Sequence, residues 1–184
     1  MWGGKVWSLR HRTQICVHRW AGVFLCSIEG IAVAEWGTAI KGRTLIMGVG
    51  NELRGDDGVG PFVARALVGK VALPVIEAGE VPENYGDRIR AARPDTVLVI
   101  DAVDFGGQPG EVALFTVEEI AERVNISTHG PSLRILATYV RETVGAEVVL
   151  LGIQPATTAF GVSLTPEVRK AGERVVRWVE SWAG

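Results

Sequence analysis

Thr44-Leu45-Ile46-Met47-Gly48-Val49-Gly50-Asn51-Glu52-Leu53-Arg54-Gly55-Asp56-Asp57-Gly58-Val59-Gly60 begins as an apolar hexapeptide, passes into a polar, glycine-rich loop and leads toward a helix candidate at residues 61–68. An apolar run without polar alternation is what a strand covered on both faces needs. Two more runs of this kind follow, Val97-Leu98-Val99-Ile100 and Val148-Val149-Leu150-Leu151-Gly152-Ile153, and all three are predicted to be central parallel strands. Val75-Ile76 and Val112-Ala113-Leu114-Phe115 are shorter and are placed nearer the edges. Between the runs the period changes to that of a helix. Leu133, Leu136, Ala137, Val140 and Val144 recur at helical spacing, with Pro131 in the first turn and Gly145 as a stop. Thr165 is expected to cap a last helix that starts at Pro166 and carries Val168, Ala171, Val175, Val179 and Trp182 along one face. Residues 84–92 and 117–124 are weaker helix candidates. Strands alternating with helices predict an α/β fold, a three-layer sandwich whose mostly parallel, doubly wound central sheet is flanked by helices.

The chain has 184 residues, enough for one such domain. A net charge of −2 and the absence of a basic stripe argue against a nucleic-acid partner. Residues 1–42 read differently from the rest: they hold Trp2, Trp7, Trp20 and Trp36, both cysteines (Cys16 and Cys26), His11 and His18, and a charge of +3 against −5 for residues 43–184. We expect an atypical, poorly ordered N-terminal extension followed by the domain proper at 43–184. The apolar stretch Trp20 to Ile28 is interrupted by Glu29 and too short to span a bilayer, so neither a secretory signal nor membrane insertion is expected, and the protein is placed in the cytoplasm. Because residues 43–184 contain no cysteine, a disulfide framework, a thiol nucleophile and a thiolate metal site are excluded for the domain.

Ligands of open parallel sheets bind beyond the carboxyl ends of the strands. Three polar loops fall there: Gly50 to Gly60, Asp101-Ala102-Val103-Asp104, and Gly152-Ile153-Gln154-Pro155. The first does not fit a nucleotide-binding loop. Gly48, Gly50 and Gly55 have the wrong spacing, and Asp56-Asp57 puts negative charge where a pyrophosphate needs donors. Helix capping would account for one of the two aspartates, leaving the other to face the crevice. Asp101 ends an apolar strand, where a carboxylate is costly unless hydrogen-bonded, paired or metal-bound. Asp104 reads as a turn residue ahead of Phe105-Gly106-Gly107. His129, the sole histidine after the extension, sits just before a helix in Ser127-Thr128-His129-Gly130-Pro131. Two carboxylates and an imidazole neutralise a divalent cation and leave coordination positions open; nickel, zinc and iron all suit these ligands.

These motifs, Gly50-Asn51 through Asp56-Asp57-Gly58-Val59-Gly60, Val99-Ile100-Asp101-Ala102-Val103-Asp104, Thr128-His129 and Leu151-Gly152-Ile153-Gln154-Pro155, resemble in order those of the hydrogenase maturation endopeptidases. The resemblance covers nearly all of the domain and none of the extension. It implies a protease that trims the C-terminal extension of a nickel–iron hydrogenase large-subunit precursor once nickel is inserted. It also implies that Asp57, Asp101 and His129 meet nickel carried by that precursor, with Asp57 or Asp101 acting as the base on water, in a protein expected to be a monomer. A non-catalytic nickel-binding accessory protein would use the same three ligands, and a nucleotide-binding α/β domain is a further rival. A serine mechanism through Ser127 or Ser132 is disfavoured, because neither lies in a nucleophile elbow.

Overall fold

A computed structural model of the protein describes residues 17–20, 23–26, 40–116 and 129–183. Seven strands are described: β1 (Val17–Trp20), β2 (Val23–Cys26), β3 (Thr44–Val49), β4 (Val75–Gly79), β5 (Thr96–Ala102), β6 (Val112–Thr116) and β7 (Glu147–Ile153). The helices are α1 (Val59–Leu67), α2 (Gly86–Ala92), α3 (Gly130–Tyr139) and α4 (Pro166–Ala183). The strands form one sheet in the order β1-β2-β6-β7-β5-β3-β4. The three fully apolar runs are its parallel centre, with Ile46 opposite Leu98 and Leu98 opposite Val149. β4 adds in parallel outside β3, whereas β6 runs antiparallel to β7. The sheet is thus mostly parallel across the domain, as predicted, with one reversed strand.

Side chains alternate across a strand, so each central strand supplies both layers of the core. On one face Leu45, Met47, Val97 and Val99 pack with Leu136, Ala137 and Val140 from the α3 side. On the other, Ile46, Leu98, Ile100 and Leu151 pack with Val63 and Leu67 of α1 and with Val168, Val175 and Val179 of α4. The two faces together make the three-layer sandwich. Val168, Val175 and Val179 are fully buried, each worth about 1.5–3 kcal/mol relative to exposure. The helix predicted from Leu133 to Val144 is α3 extended by a π-turn at Val140–Val144; Gly145 ends it at φ 74°. The 117–124 helix candidate lies outside the described residues.

Close approach of backbone to backbone sets α1 against the sheet. A Cβ at Gly48 would come within 2.2 Å of the Gly60 carbonyl oxygen, so only glycine lets the start of α1 lie directly on β3. Within the extension, β1 and β2 pair antiparallel, and β2 meets β6 through Leu25 opposite Ala113 and Cys26 opposite Val112. Among the described residues no helix is long and apolar enough to cross a membrane.

Candidate functional site

Asp57 lies in a single 3₁₀ turn, Gly55–Gly58, between β3 and α1. The turn doubles back tightly over the end of β3: Gly50 has φ 139°, and a Cβ there would stand 1.8 Å from the Asp57 carbonyl oxygen. Asn51 shapes the loop from both ends. Its side-chain oxygen accepts from the Leu53 N–H at 2.8 Å, and its own N–H donates to Asp57 Oδ2 at 2.9 Å.

Asp101 is the penultimate residue of β5, fully buried and opposite Gly152 of β7. Its Oδ1 accepts from the Ala102 N–H at 2.8 Å. His129 stands immediately before α3, with its Nε2 3.3 Å from Asp57 Oδ2. The structure brings the three residues named from the sequence together: one ligand atom of each lies within 4.8 Å of the others, and all three side chains are buried. Burial works against the His129 cation. The hydrogen bond to Asp57 and the negative field of Asp101, Asp57 and Glu80 outweigh it, so the imidazole pKa is raised above its usual 6.5. Such a pocket favours positive charge, whether a proton or a metal ion.

Neither aspartate of the pair caps a helix through its side chain, which corrects the expectation from the sequence. Asp56 turns away from its own helix. Its Oδ2 accepts from the N–H groups of Ala156 (2.8 Å) and Thr157 (3.1 Å) and from the Thr165 hydroxyl (3.0 Å), while Oδ1 accepts from the Thr165 N–H (2.7 Å). The hydroxyl expected to cap α4 is thereby donated to Asp56.

Asp104 is the turn residue predicted, accepting from the Gly106 N–H at 3.2 Å, and it also takes a hydrogen bond from Gln154 Nε2 at 3.0 Å. Gln154 Oε1 accepts in turn from the N–H groups of Phe105 and Gly107, so the third polar loop braces the second. Ser132 donates to Glu83 Oε1 at 3.2 Å, and Ser127 lies outside the described residues. Sequence reasoning passed over Glu80, which follows β4 and acts on His129; the rule that sites gather after strand ends would have included it.

The family model for hydrogenase maturation proteases matches residues 63–182. The hydrogenase 3 maturation protease of Escherichia coli is 38% identical over 142 residues, covering 76% of this chain and 90% of that protein. A putative hydrogenase maturation protease of Methanocaldococcus jannaschii is 33% identical over 144 residues, 73% of this chain and 84% of that one. Among solved structures, the NiFe hydrogenase maturation protease HycI of Thermococcus kodakarensis superposes with a TM-score of 0.73 at 35% identity, covering 82% of this chain and 97% of its own. The hydrogenase maturating endopeptidase HybD of E. coli gives 0.62 at 26% identity, covering 75% and 90%. A doubly wound sheet of the same architecture, a family match over well above half the chain and relatives matched over most of their own length lead to one conclusion: this chain belongs to the hydrogenase maturation proteases.

Proposed function

We propose that this protein is the endopeptidase that removes the C-terminal extension of a nickel–iron hydrogenase large-subunit precursor after nickel insertion, and that Asp57, Asp101 and His129 recognise the inserted metal. Membership of the family makes it a peptide-bond hydrolase. The convergence of two carboxylates and one imidazole within 4.8 Å, from the turn after β3, the end of β5 and the residue before α3, carries the metal-recognition reading. Nickel belongs to the substrate in this scheme. The three side chains complete the coordination of an ion that the precursor already holds, so cleavage waits for metal loading.

For hydrolysis, a carboxylate of Asp57 or Asp101 takes a proton from water as the water oxygen adds to the scissile carbonyl, and the proton then passes to the leaving amine. Before nickel arrives, the hydrogen bond between His129 Nε2 and Asp57 Oδ2 holds the orientation of the Asp57 carboxylate. A monomer working in the cytoplasm, where the precursor would be met before assembly, completes the proposal. The accessory-protein alternative is less well supported, because the relatives are named as proteases.

The test is a processing assay on purified precursor, with and without nickel. Asp57→Asn, Asp101→Asn and His129→Ala should each abolish cleavage of the loaded precursor, and Ser132→Ala should leave it intact. Full cleavage of nickel-free precursor, or a dead Ser132→Ala enzyme, would overturn the scheme.

A further inference from the structure

We infer that Asp56 is a positioning residue that aims Asp57 into the metal cluster by bolting the 3₁₀ turn to the segment entering α4. The functional part of this inference rests on the metal-recognition reading above. The geometry stands by itself.

Asp56 has no exposed surface, and all four of its hydrogen bonds described above come from residues at least 100 positions away; none comes from its own turn. The main chain adds two further ties to the same segment: Gly55 N–H donates to the Val162 carbonyl at 3.1 Å, and Asp56 N–H to the Thr157 carbonyl at 3.0 Å. In a 3₁₀ turn successive side chains project about 120° apart. While Asp56 faces Ala156, Thr157 and Thr165, Asp57 must face the cluster. Rotation of the turn about its axis is the motion that would swing Asp57 away from Asp101 and His129, and the Asp56 carboxylate opposes that motion.

Asparagine cannot replace it. Both carboxylate oxygens receive N–H donors, so either orientation of the amide sets its NH2 group against at least one backbone N–H. Burying a charged group is costly, and a brace needed for stability alone could be built from apolar side chains. Four directed acceptor contacts impose a rotational setting that apolar packing does not.

The test compares Asp56→Asn with Val175→Ala, a buried core change ten residues along α4 from Thr165 that lowers stability without removing a hydrogen bond to the turn. Thr165→Val removes one donor from Asp56, and Thr165→Ser keeps it. Conditions are chosen so that each variant is folded. The first measurement is amide hydrogen exchange at Asn51, whose N–H reports on Asp57 Oδ2. Exchange should speed up at least tenfold in Asp56→Asn, by less in Thr165→Val, and should stay near wild type in Thr165→Ser and Val175→Ala. The second is titration with nickel(II) alone, where Asp56→Asn should bind at least tenfold more weakly than Val175→Ala. Asn51 exchange in Asp56→Asn no faster than in Val175→Ala overturns the inference. If Asp56→Asn does not fold, the same comparison with Thr165→Val decides it. Faster exchange in a protein whose wild type neither binds nickel nor cleaves precursor would keep the positioning role and remove the metal reading instead.

Discussion

Replacing Gly60 by alanine should damage stability and the candidate site together. The new Cβ would lie 2.1 Å from the Val49 carbonyl oxygen, 2.4 Å from the Ile100 carbonyl oxygen and 2.7 Å from the Val49 nitrogen. Even a close carbon–oxygen contact needs about 3.3 Å, so the helix and sheet must separate by roughly 1 Å. The obstructing atoms are backbone of two central strands, which cannot give way without breaking their ladders. α1 must therefore move. Overpacking costs about 1–3 kcal/mol, and contact with rigid backbone puts this case at the upper end. For a chain of this size that is a fall in Tm of about 10 °C.

The displacement starts three residues from Asp57 and would carry its carboxylate away from Asp101 and His129. Metal ligation tolerates only about 0.2 Å, and a misplacement of about 1 Å costs on the order of 100-fold in rate. Urea unfolding gives the stability change; nickel(II) titration and precursor processing at a temperature where the variant is folded give the rest. Gly145→Ala is the comparison. It places a side chain at φ 74° in open space, costs about 1–2 kcal/mol and should leave processing untouched. A Gly60→Ala protein within about 0.5 kcal/mol of wild type and fully active would refute the close-packing argument, since surface-like tolerance of that size is incompatible with a buried backbone clash.

Two further predictions concern pH and the extension. Because the His129 pKa is raised above 6.5 in the folded protein, its contribution to stability without metal should be complete below about that pH and lost as pH rises through the folded pKa. Nickel(II) needs the neutral ring, so its affinity should rise over the same interval; ring NMR of Asp57→Asn should show a lower His129 pKa, and an unchanged one would mean the hydrogen bond contributes nothing. A chain starting at Gly42 should fold and process precursor with a somewhat lower Tm, because among the described residues β2 meets β6 through two residue pairs, while the truncation also removes the Lys41 hydrogen bonds to Thr96; failure of the truncated chain to fold would move the domain boundary into the extension.

The apolar runs at β3, β5 and β7, the helical spacing from Leu133 to Val144 and the stop at Gly145 were legible because burial writes its period into a continuous stretch of chain. Asp101 was legible for a related reason: a carboxylate at the end of an apolar strand is conspicuous wherever the rest of the chain goes. His129 stood out as the domain's only histidine, but its distance from Asp57 was not in the sequence. The reversed direction of β6 was not readable either, since a short apolar run looks the same in parallel and antiparallel pairing.

What the sequence alone determined is the central strands, the helices that follow His129 and Thr165, and a short set of polar candidates at the strand ends: Asp101, His129 and one of Asp56-Asp57. Tertiary structure decided which aspartate of Asp56-Asp57 faces the cluster, that Thr165 donates its hydroxyl to Asp56, and that Gln154 braces the turn at Asp104. Each of these depends on hydrogen bonds between residues separated by 50 to 109 positions. Local patterns carry periodicity and burial, whereas the direction of a polar side chain is set by whichever donors the fold brings to it.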